Sequence, residues 1–496
     1  MMATRSLSEL LAGWGEQVPA VEIGGVTLYS REVTPGVLFL ACVGSQRHGL
    51  EFAAQAVADG AVAIAWEPAA GISAPRDCGV PVIAVPDLHL RAGEIAARFF
   101  DDPSRSIAVS GITGTDGKTS TAYLLAQALS ILGRPCEYIG TLGSGFIGEL
   151  DEGRSTTPDA VSLQHLLRTA LKVGASACAL EASSHALDQG RVNGVRFATT
   201  VLTNVGRDHL DYHGDVEHYV MAKRRLFGRG DGAPAILNRD DTRGRQFADE
   251  LGGECRVVLY GLGGNRPAGP HVLGRGLVTH ARGLSFEVLS NGASAVMDSG
   301  LLGRFNAYNL LAAAATLLEY GVSLTDACGA LSNVQTVPGR AEAFHGPGSD
   351  ALVVVDYAHT PQALAGVLAA LREHTHGRLV CVFGCGGDRD RGKRALMAQA
   401  AARAADYLVV TDDNPRSEAS AAIIADICLG LPPGVRYEVC ADRGQAIRSA
   451  VAATRPGDTV LVAGKGHENY QIYGDEWRPF SDRALAAELV GMELAS

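Results

Sequence analysis

No stretch of this 496-residue chain is apolar for long enough to cross a bilayer; runs such as "LLAAAATLL" are too short. The opening "MMATRSLSELLAGWGEQ" lacks the apolar core of a secretion signal. Zinc spacing of the CxxC kind is missing as well. The 10 cysteines are scattered, and only Cys381 and Cys385 lie close, in "CVFGC", which reads as a strand end. Reduced, mostly buried thiols in a cytoplasmic protein are therefore expected, with no membrane insertion. Positive charge is in deficit: 43 Lys and Arg stand against 54 Asp and Glu, a net charge of -11. That balance argues against nucleic acid or an anionic membrane as partner, although local basic clusters can still hold phosphates. Solenoid repeats and low-complexity tracts are also lacking.

What remains is the composition of an ordinary folded protein, 47% hydrophobic and 20% charged. The length suits about three domains. "GITGTDGKTST", residues 111–121, resembles a phosphate-binding loop, but Ile112 holds the position where the standard spacing has its first glycine. The working parts are still present. Gly114 and Gly117 let backbone amides turn inward, Lys118 supplies a point charge, and Thr119 supplies a hydroxyl for Mg²⁺. "RSIAVSGI" before the loop reads as a strand, and "KTSTAYLLAQALSILG" after it as a helix ending near Gly133. Strand, glycine turn and helix N-terminus form an anion site, because unpaired N–H groups and the helix dipole both face the turn. The competing reading, an ordinary glycine-rich turn, does not account for Lys-Thr at this point.

The organisation is α/β, with three domains expected at 1–104, 105–339 and 340–496. The first, closed by the polar linker "FFDDPSRS", alternates short strands with a helix. The second opens with the loop and continues through "SACALEASSH", "FATTVLTNVGRDHLD", a hairpin-like region near 255–300 and the helical "FNAYNLLAAAATLLEYG". In the third, "ALVVVDYAHTP", "RLVCVFGCGGDRDRGKR", "DYLVVTDDNPRSE" and "DTVLVAGKGHENYQ" each join an apolar run to a polar, glycine-bearing tail. Such runs separated by helices indicate a parallel sheet covered on both faces. Ligands bind beyond the carboxyl ends of its strands, where every polar tail lies.

Glu181, at a strand end, and Thr119 suit a hard Mg²⁺ ion. His209 follows another strand end, but a histidine there is more often a structural hydrogen bonder than a metal ligand. His213 reads as structural, and Lys223 in "HYVMAKRRLF" as a solvated lysine. For an adenosine, Asn306 and Asn309 share one helix face, Arg340 could reach phosphates, and Asp356 could bind ribose hydroxyls, although asparagine at a helix start is usually a cap. The third domain gathers Arg389, the run from Asp412 to Glu418, and Glu468 at neighbouring strand ends. Arginine matches a carboxylate, and Asp or Glu an ammonium, so the expected guest is an amino acid. A surface salt-bridge cluster is the alternative.

"TGTDGKTST", "EASSHALDQGRV", "TNVGRDHLDYHGDVEHYVMAK", "GRFNAYNLLAA", "VVVDYAHTP", "FGCGGDRDRGKR", "DDNPRSE" and "VAGKGHENYQI", in this order, resemble the Mur ligases of peptidoglycan precursor synthesis. The resemblance is weakest in the first hundred residues and around 245–295. It implies an N-terminal domain for a uridine nucleotide, a central P-loop-type ATPase domain and a C-terminal Rossmann-like domain for the incoming amino acid. The implied chemistry is ATP-driven amide formation. The γ-phosphate passes to a D-glutamate carboxylate, and an amine displaces phosphate from the acyl phosphate.

Carried over by motif, Gly114, Thr115, Asp116, Gly117, Lys118, Thr119 and Ser120 bind ATP with Asn309, Arg340 and Asp356. Thr119, Glu181 and His209 fall on Mg²⁺ positions, with Lys223 matching a lysine the family carbamylates; Lys118, Glu181, His209 and Lys223 form the implied catalytic set. Leu28, Ser30, Ser45, Gln46, Arg47, Thr156, Thr157, Ser183, Gln189 and Arg191 match contacts to the UDP-muramoyl dipeptide. Arg389, Asp413, Asn414, Pro415, Arg416, Gly464 and Glu468 match a diaminopimelate pocket. The "DNPR" run favours meso-diaminopimelate over lysine, and the muramoyl-peptide motifs speak against a folate-polyglutamating ligase. A regulator that has lost catalysis could shed Lys223 or His209, and both are retained. The expected partners are these small molecules and ATP, bound by a monomer. Two residues depart from the family pattern: Asp116 where asparagine is usual, and Tyr29 in place of an acidic residue beside Ser30.

Overall fold

The computed structural model describes residues 4–15, 17–44, 47–75, 78–153, 155–280, 282–346 and 349–493. The chain falls into two compact units, Met1–Tyr260 with Pro267–His271 and Ala315–Val322, and Gly261–Arg266 with Val272–Ala314 and Ser323–Ser496.

Besides a short antiparallel pair, Arg5–Ser6 with Glu22–Ile23, the described residues of the first unit form two larger sheets. The smaller has four parallel strands in the order Gly25–Thr27, Val37–Ala41, Ala63–Trp66 and Val82–Ala84. Its two central strands are buried along their whole length, as parallel strands covered on both faces must be. Helix Leu88–Phe99 buries Leu88, Ala92, Ile95, Ala96 and Phe99, a stripe at helical spacing. The same helix docks on the turn 190–194. Asn193 donates its amide to the Leu90 carbonyl at 3.0 Å. Gly93 lies so close to this turn that a Cβ there would stand 1.8 Å from the Asn193 carbonyl oxygen, while one on Gly194 would stand 2.3 Å from that of Gly93.

The larger sheet runs, within this unit, in the order Glu149–Asp151, Gly143–Phe146, Cys136–Gly140, Ala177–Glu181, Ala108–Thr113, Phe197–Leu202, Ala235–Asn238 and Val257–Leu262. From Cys136–Gly140 onward it is parallel. Register decides where the chemistry falls. Glu181 pairs with Ile112, and Leu202 with Thr113. The segments following all three strands therefore emerge side by side at the carboxyl edge. Helix Lys118–Ile131 starts there after Gly117, whose left-handed φ of 80° turns the chain.

The second unit contains the antiparallel strands His271–His280, Gly283–Ser290 and Ala293–Ser299, the hairpin-like region expected near 255–300. It also contains a six-stranded sheet in the order Glu342–Gly346, Ser349–Asp356, Thr459–Ala463, Leu379–Phe383, Tyr407–Val410 and Tyr437–Val439. All its pairings are parallel except the first. Asp356, Phe383 and Ala463 lie level at the carboxyl ends. Among the described residues no helix is long and apolar enough to cross a membrane.

Candidate active site

The glycine loop is clamped from the neighbouring strand. The Asp116 carbonyl accepts from the Thr203 hydroxyl at 2.6 Å and from the Asn204 amide at 3.1 Å, while the Asp116 N–H donates to Asn204 Oδ1 at 3.0 Å. Only a glycine fits at 114. Its φ is 153°, and a Cβ would meet Thr203 Oγ1 at 1.9 Å. Lys118 donates to the Gly114 and Thr115 carbonyls at 3.0 and 2.9 Å, and Lys223 donates to the same Gly114 carbonyl at 2.7 Å. Two lysines thus converge on one oxygen. Lys223 is buried, not solvated, and packs over the Tyr219 ring. Burial, reinforced by the Lys118 charge, pushes its amine well below the usual lysine range; burial also lowers Lys118, against the pull of Glu181, Asp116 and Asp208.

Glu181 is fully buried and has its oxygens held from several sides. Tyr138 donates to it at 2.5 Å, the Thr141 N–H at 2.9 Å and the Thr119 hydroxyl at 2.9 Å. Tyr138 and Thr141 were not singled out from sequence, because nothing in "CEYIGTLG" announces a partner 40 residues away. The Thr119 hydroxyl and the Glu181 carboxylate are hard oxygen donors side by side, a set that fits Mg²⁺. His209, in the left-handed region at φ 51°, lies 3.4 Å from Asp208 and meets the His185 ring edge to face with ring centres 4.8 Å apart. His213 bonds Ser184 and packs in the same aromatic cluster. No group of three or more His, Cys, Asp or Glu among the described residues is arranged to hold a metal.

One network joins four of the expected dipeptide contacts. The Thr157 hydroxyl donates to the Glu181 carbonyl at 2.7 Å and accepts from the Ser183 N–H at 3.1 Å. Arg191 donates to the Thr157 carbonyl at 2.9 Å and to Gln189 Oε1 at 2.9 and 2.6 Å. Thr156 lies 3.1 Å from the Thr141 hydroxyl. A cavity of about 1260 Å³ runs from Leu28 and Tyr29 of the small sheet to Gln189 and Arg191. Ser30 and Arg47 do not line it, and Arg47 pairs instead with Glu51 at 2.9 Å. Ser45 and Gln46 lie outside the described residues. His89 also lines the cavity and is held by Glu67, a pairing that sequence reading missed.

In the second unit Asn309 donates its amide to Asn306 Oδ1 at 2.9 Å, and Asn306 donates to the Leu302 carbonyl. Asp356 accepts from the Ala341 and Ala358 N–H groups, both at 2.7 Å, and burial raises its pKa. Arg340 stacks on Tyr357. The expected amino-acid residues assemble at the carboxyl edge of the six-stranded sheet. Asn414 donates to Glu468 Oε2 at 3.0 Å, and Arg416 to the Gly387 carbonyl at 2.8 Å. Gln471 donates to the Asp413 carbonyl at 2.9 Å. Gly464, at φ 124°, leaves no room for a Cβ, which would stand 2.5 Å from Asp413 Oδ2. Pro415 approaches the backbone of Gly387, and exposed Arg389 bonds the Asp388 carbonyl. Lys465 and Arg443 also belong here and were missed. Arg443 is fully buried against Asp482 at 2.7 Å and donates to the Asp412 and Ala463 carbonyls, tying two loop-bearing strand ends together.

Three sequence profiles match in chain order: "Mur ligase family, catalytic domain" over 22–100, "Mur ligase middle domain" over 112–317, and "Mur ligase, glutamate ligase domain" over 339–466. The chain belongs to the Mur ligase family. Within it, the chain is 50% identical over 496 residues to the UDP-N-acetylmuramoyl-L-alanyl-D-glutamate--2,6-diaminopimelate ligase of Alkalilimnicola ehrlichii, covering 98% of this chain and 99% of that one. It is 48% identical over 464 residues to the ligase of the same name from Chromobacterium violaceum, covering 92% of each. A solved structure of a ligase with this name superposes with a TM-score of 0.81 at 35% identity, covering 99% of both chains. The mixed α/β architecture expected from the sequence is that of this family.

Proposed function

We infer that this chain is an ATP-dependent ligase that joins meso-diaminopimelate to UDP-N-acetylmuramoyl-L-alanyl-D-glutamate through an acyl phosphate, as a cytoplasmic monomer. The carrying observation is 50% identity across 98% of the chain to a diaminopimelate-adding ligase. The geometry supports it. Lys118 and Lys223 bring two amines to the glycine loop, where triphosphate charge must be spread during phosphoryl transfer. Thr119 and Glu181 would hold Mg²⁺, with His209 and a carbamylated Lys223 as further ligands; the ion supplies charge neutralisation at the phosphates. Lys223 is prepared for carbamylation by the burial that favours its free amine, the form that attacks CO2 and releases a proton. Asn309, Arg340 and Asp356 are assigned to the adenosine and phosphates. The cavity from Leu28 to Arg191 exceeds the roughly 300–1,000 Å³ of an ordinary small-molecule site, as an extended nucleotide-sugar-peptide requires. Arg389, Asp413, Asn414, Pro415, Arg416, Gly464 and Glu468 are assigned to the diaminopimelate.

Phosphate release from ATP, measured with the UDP-muramoyl dipeptide and with diaminopimelate, lysine or neither, tests this reading. Turnover should require diaminopimelate. Turnover with lysine alone would overturn the substrate assignment, and no turnover with either would favour a regulator.

A further inference from the structure

Glu468 and Asn414 share a neighbour that cannot itself meet a ligand. Lys465 has none of its side chain exposed, yet its ammonium lies 2.8 Å from Glu468 Oε2 and 3.2 Å from Asn414 Oδ1, beside the Tyr470 ring. Asn414 Nδ2 closes the triangle on Glu468 Oε2 at 3.0 Å, and the Ile472 N–H donates to Asn414 Oδ1 at 3.1 Å. Every polar atom of the Asn414 amide is thereby committed, so its orientation is fixed. Both Lys465 and Asn414 direct their hydrogen bonds to the same carboxylate oxygen, which leaves Glu468 Oε1 for another donor. A carboxylate with only 19% of its side chain exposed also gains from a counter-charge when no ligand is present. Lys465 supplies it.

We propose that Lys465 is a positioning residue for the amino-acid substrate: it holds Glu468 aimed and Asn414 oriented, so that the free Glu468 oxygen receives the substrate ammonium. This rests on the assignment of Glu468 to the diaminopimelate pocket. Lys465→Met removes the charge at similar length. In the full chain its KM for diaminopimelate should rise tenfold or more, about 1.4 kcal/mol, while KM for ATP and for the UDP-muramoyl dipeptide stays within a factor of about two. Lys465→Gln keeps a donor toward Glu468, serves if the Met variant does not fold, and should raise KM less. If Lys465 acts through Glu468, adding Lys465→Met to Glu468→Gln should raise KM little beyond Glu468→Gln alone. An unchanged KM for diaminopimelate in a folded variant, an equal rise for all three substrates, or fully multiplicative effects would overturn the proposal. Wild-type turnover without dependence on diaminopimelate would instead overturn the function it rests on.

Discussion

At the residue scale the glycine loop is the most constrained part of the chain, and two of its charges make separable predictions. Lys118 donates to the Gly114 and Thr115 carbonyls and keeps a third N–H for a phosphate. Lys118→Ala should lower kcat by on the order of 10²–10³ in the phosphate-release assay. Asp116 is exposed and adds a carboxylate beside the proposed phosphate site. Its effect is that of an exposed charge pair, about 0.2–1 kcal/mol, so Asp116→Asn should lower KM for ATP by at most roughly fivefold. An unchanged or higher KM would show that Asp116 is better described as a partner of Lys118 and Lys223. The burial of Lys223 could not be read from its neighbours in sequence. "HYVMAKRRLF" looks like a basic surface helix, and only tertiary packing places that one lysine inside. The loop, by contrast, was legible because its parts are consecutive.

At the scale of elements, the candidate site residues lie at strand ends, and buried charges hold those strand ends. The apolar runs at Leu379–Phe383 and Thr459–Ala463 were plain in the sequence because strands buried on both faces read as near-continuous hydrophobic runs. The edge strands Glu342–Gly346 and Tyr437–Val439 were not, since "EAFHG" and "YEV" are short and partly exposed. Arg443 was invisible for a different reason: its partner Asp482 is 39 residues away, and charge alone does not announce burial. Replacing one member of such a pair strands the other, which costs about 3–5 kcal/mol. Arg443→Met should lose stability of that order in urea unfolding. Glu418 gives a pH signature. Hydrogen bonds from Arg394 and then the Asp388 N–H pull its carboxyl from 4.5 to about 2. The folded state therefore binds this proton more weakly than the unfolded chain, so the stabilisation is complete above 4.5 and disappears as pH falls toward about 2. Melting temperature followed across that window should fall less steeply for Glu418→Gln than for the wild type.

At the scale of the whole molecule, the expected division at residue 104 meets a close backbone contact. Helix Leu88–Phe99 and the turn 190–194 approach through Gly93 and Gly194 with no space for a side chain between them, and Ala160 and Val161 share the hydrophobic core of the first hundred residues. Gly93→Ala would overpack this contact, at a cost of about 1–3 kcal/mol or more. It should lower the melting temperature and raise KM for the UDP-muramoyl dipeptide, leaving KM for diaminopimelate unchanged. The turn also carries Arg191 and follows Gln189, both of which line the large cavity. The consequence reaches protein engineering. A chimera that grafts another ligase's nucleotide-reading segment onto this ATPase cannot be cut at the linker alone: the donor must bring its own counterpart of residues 190–194, or the seam will not close.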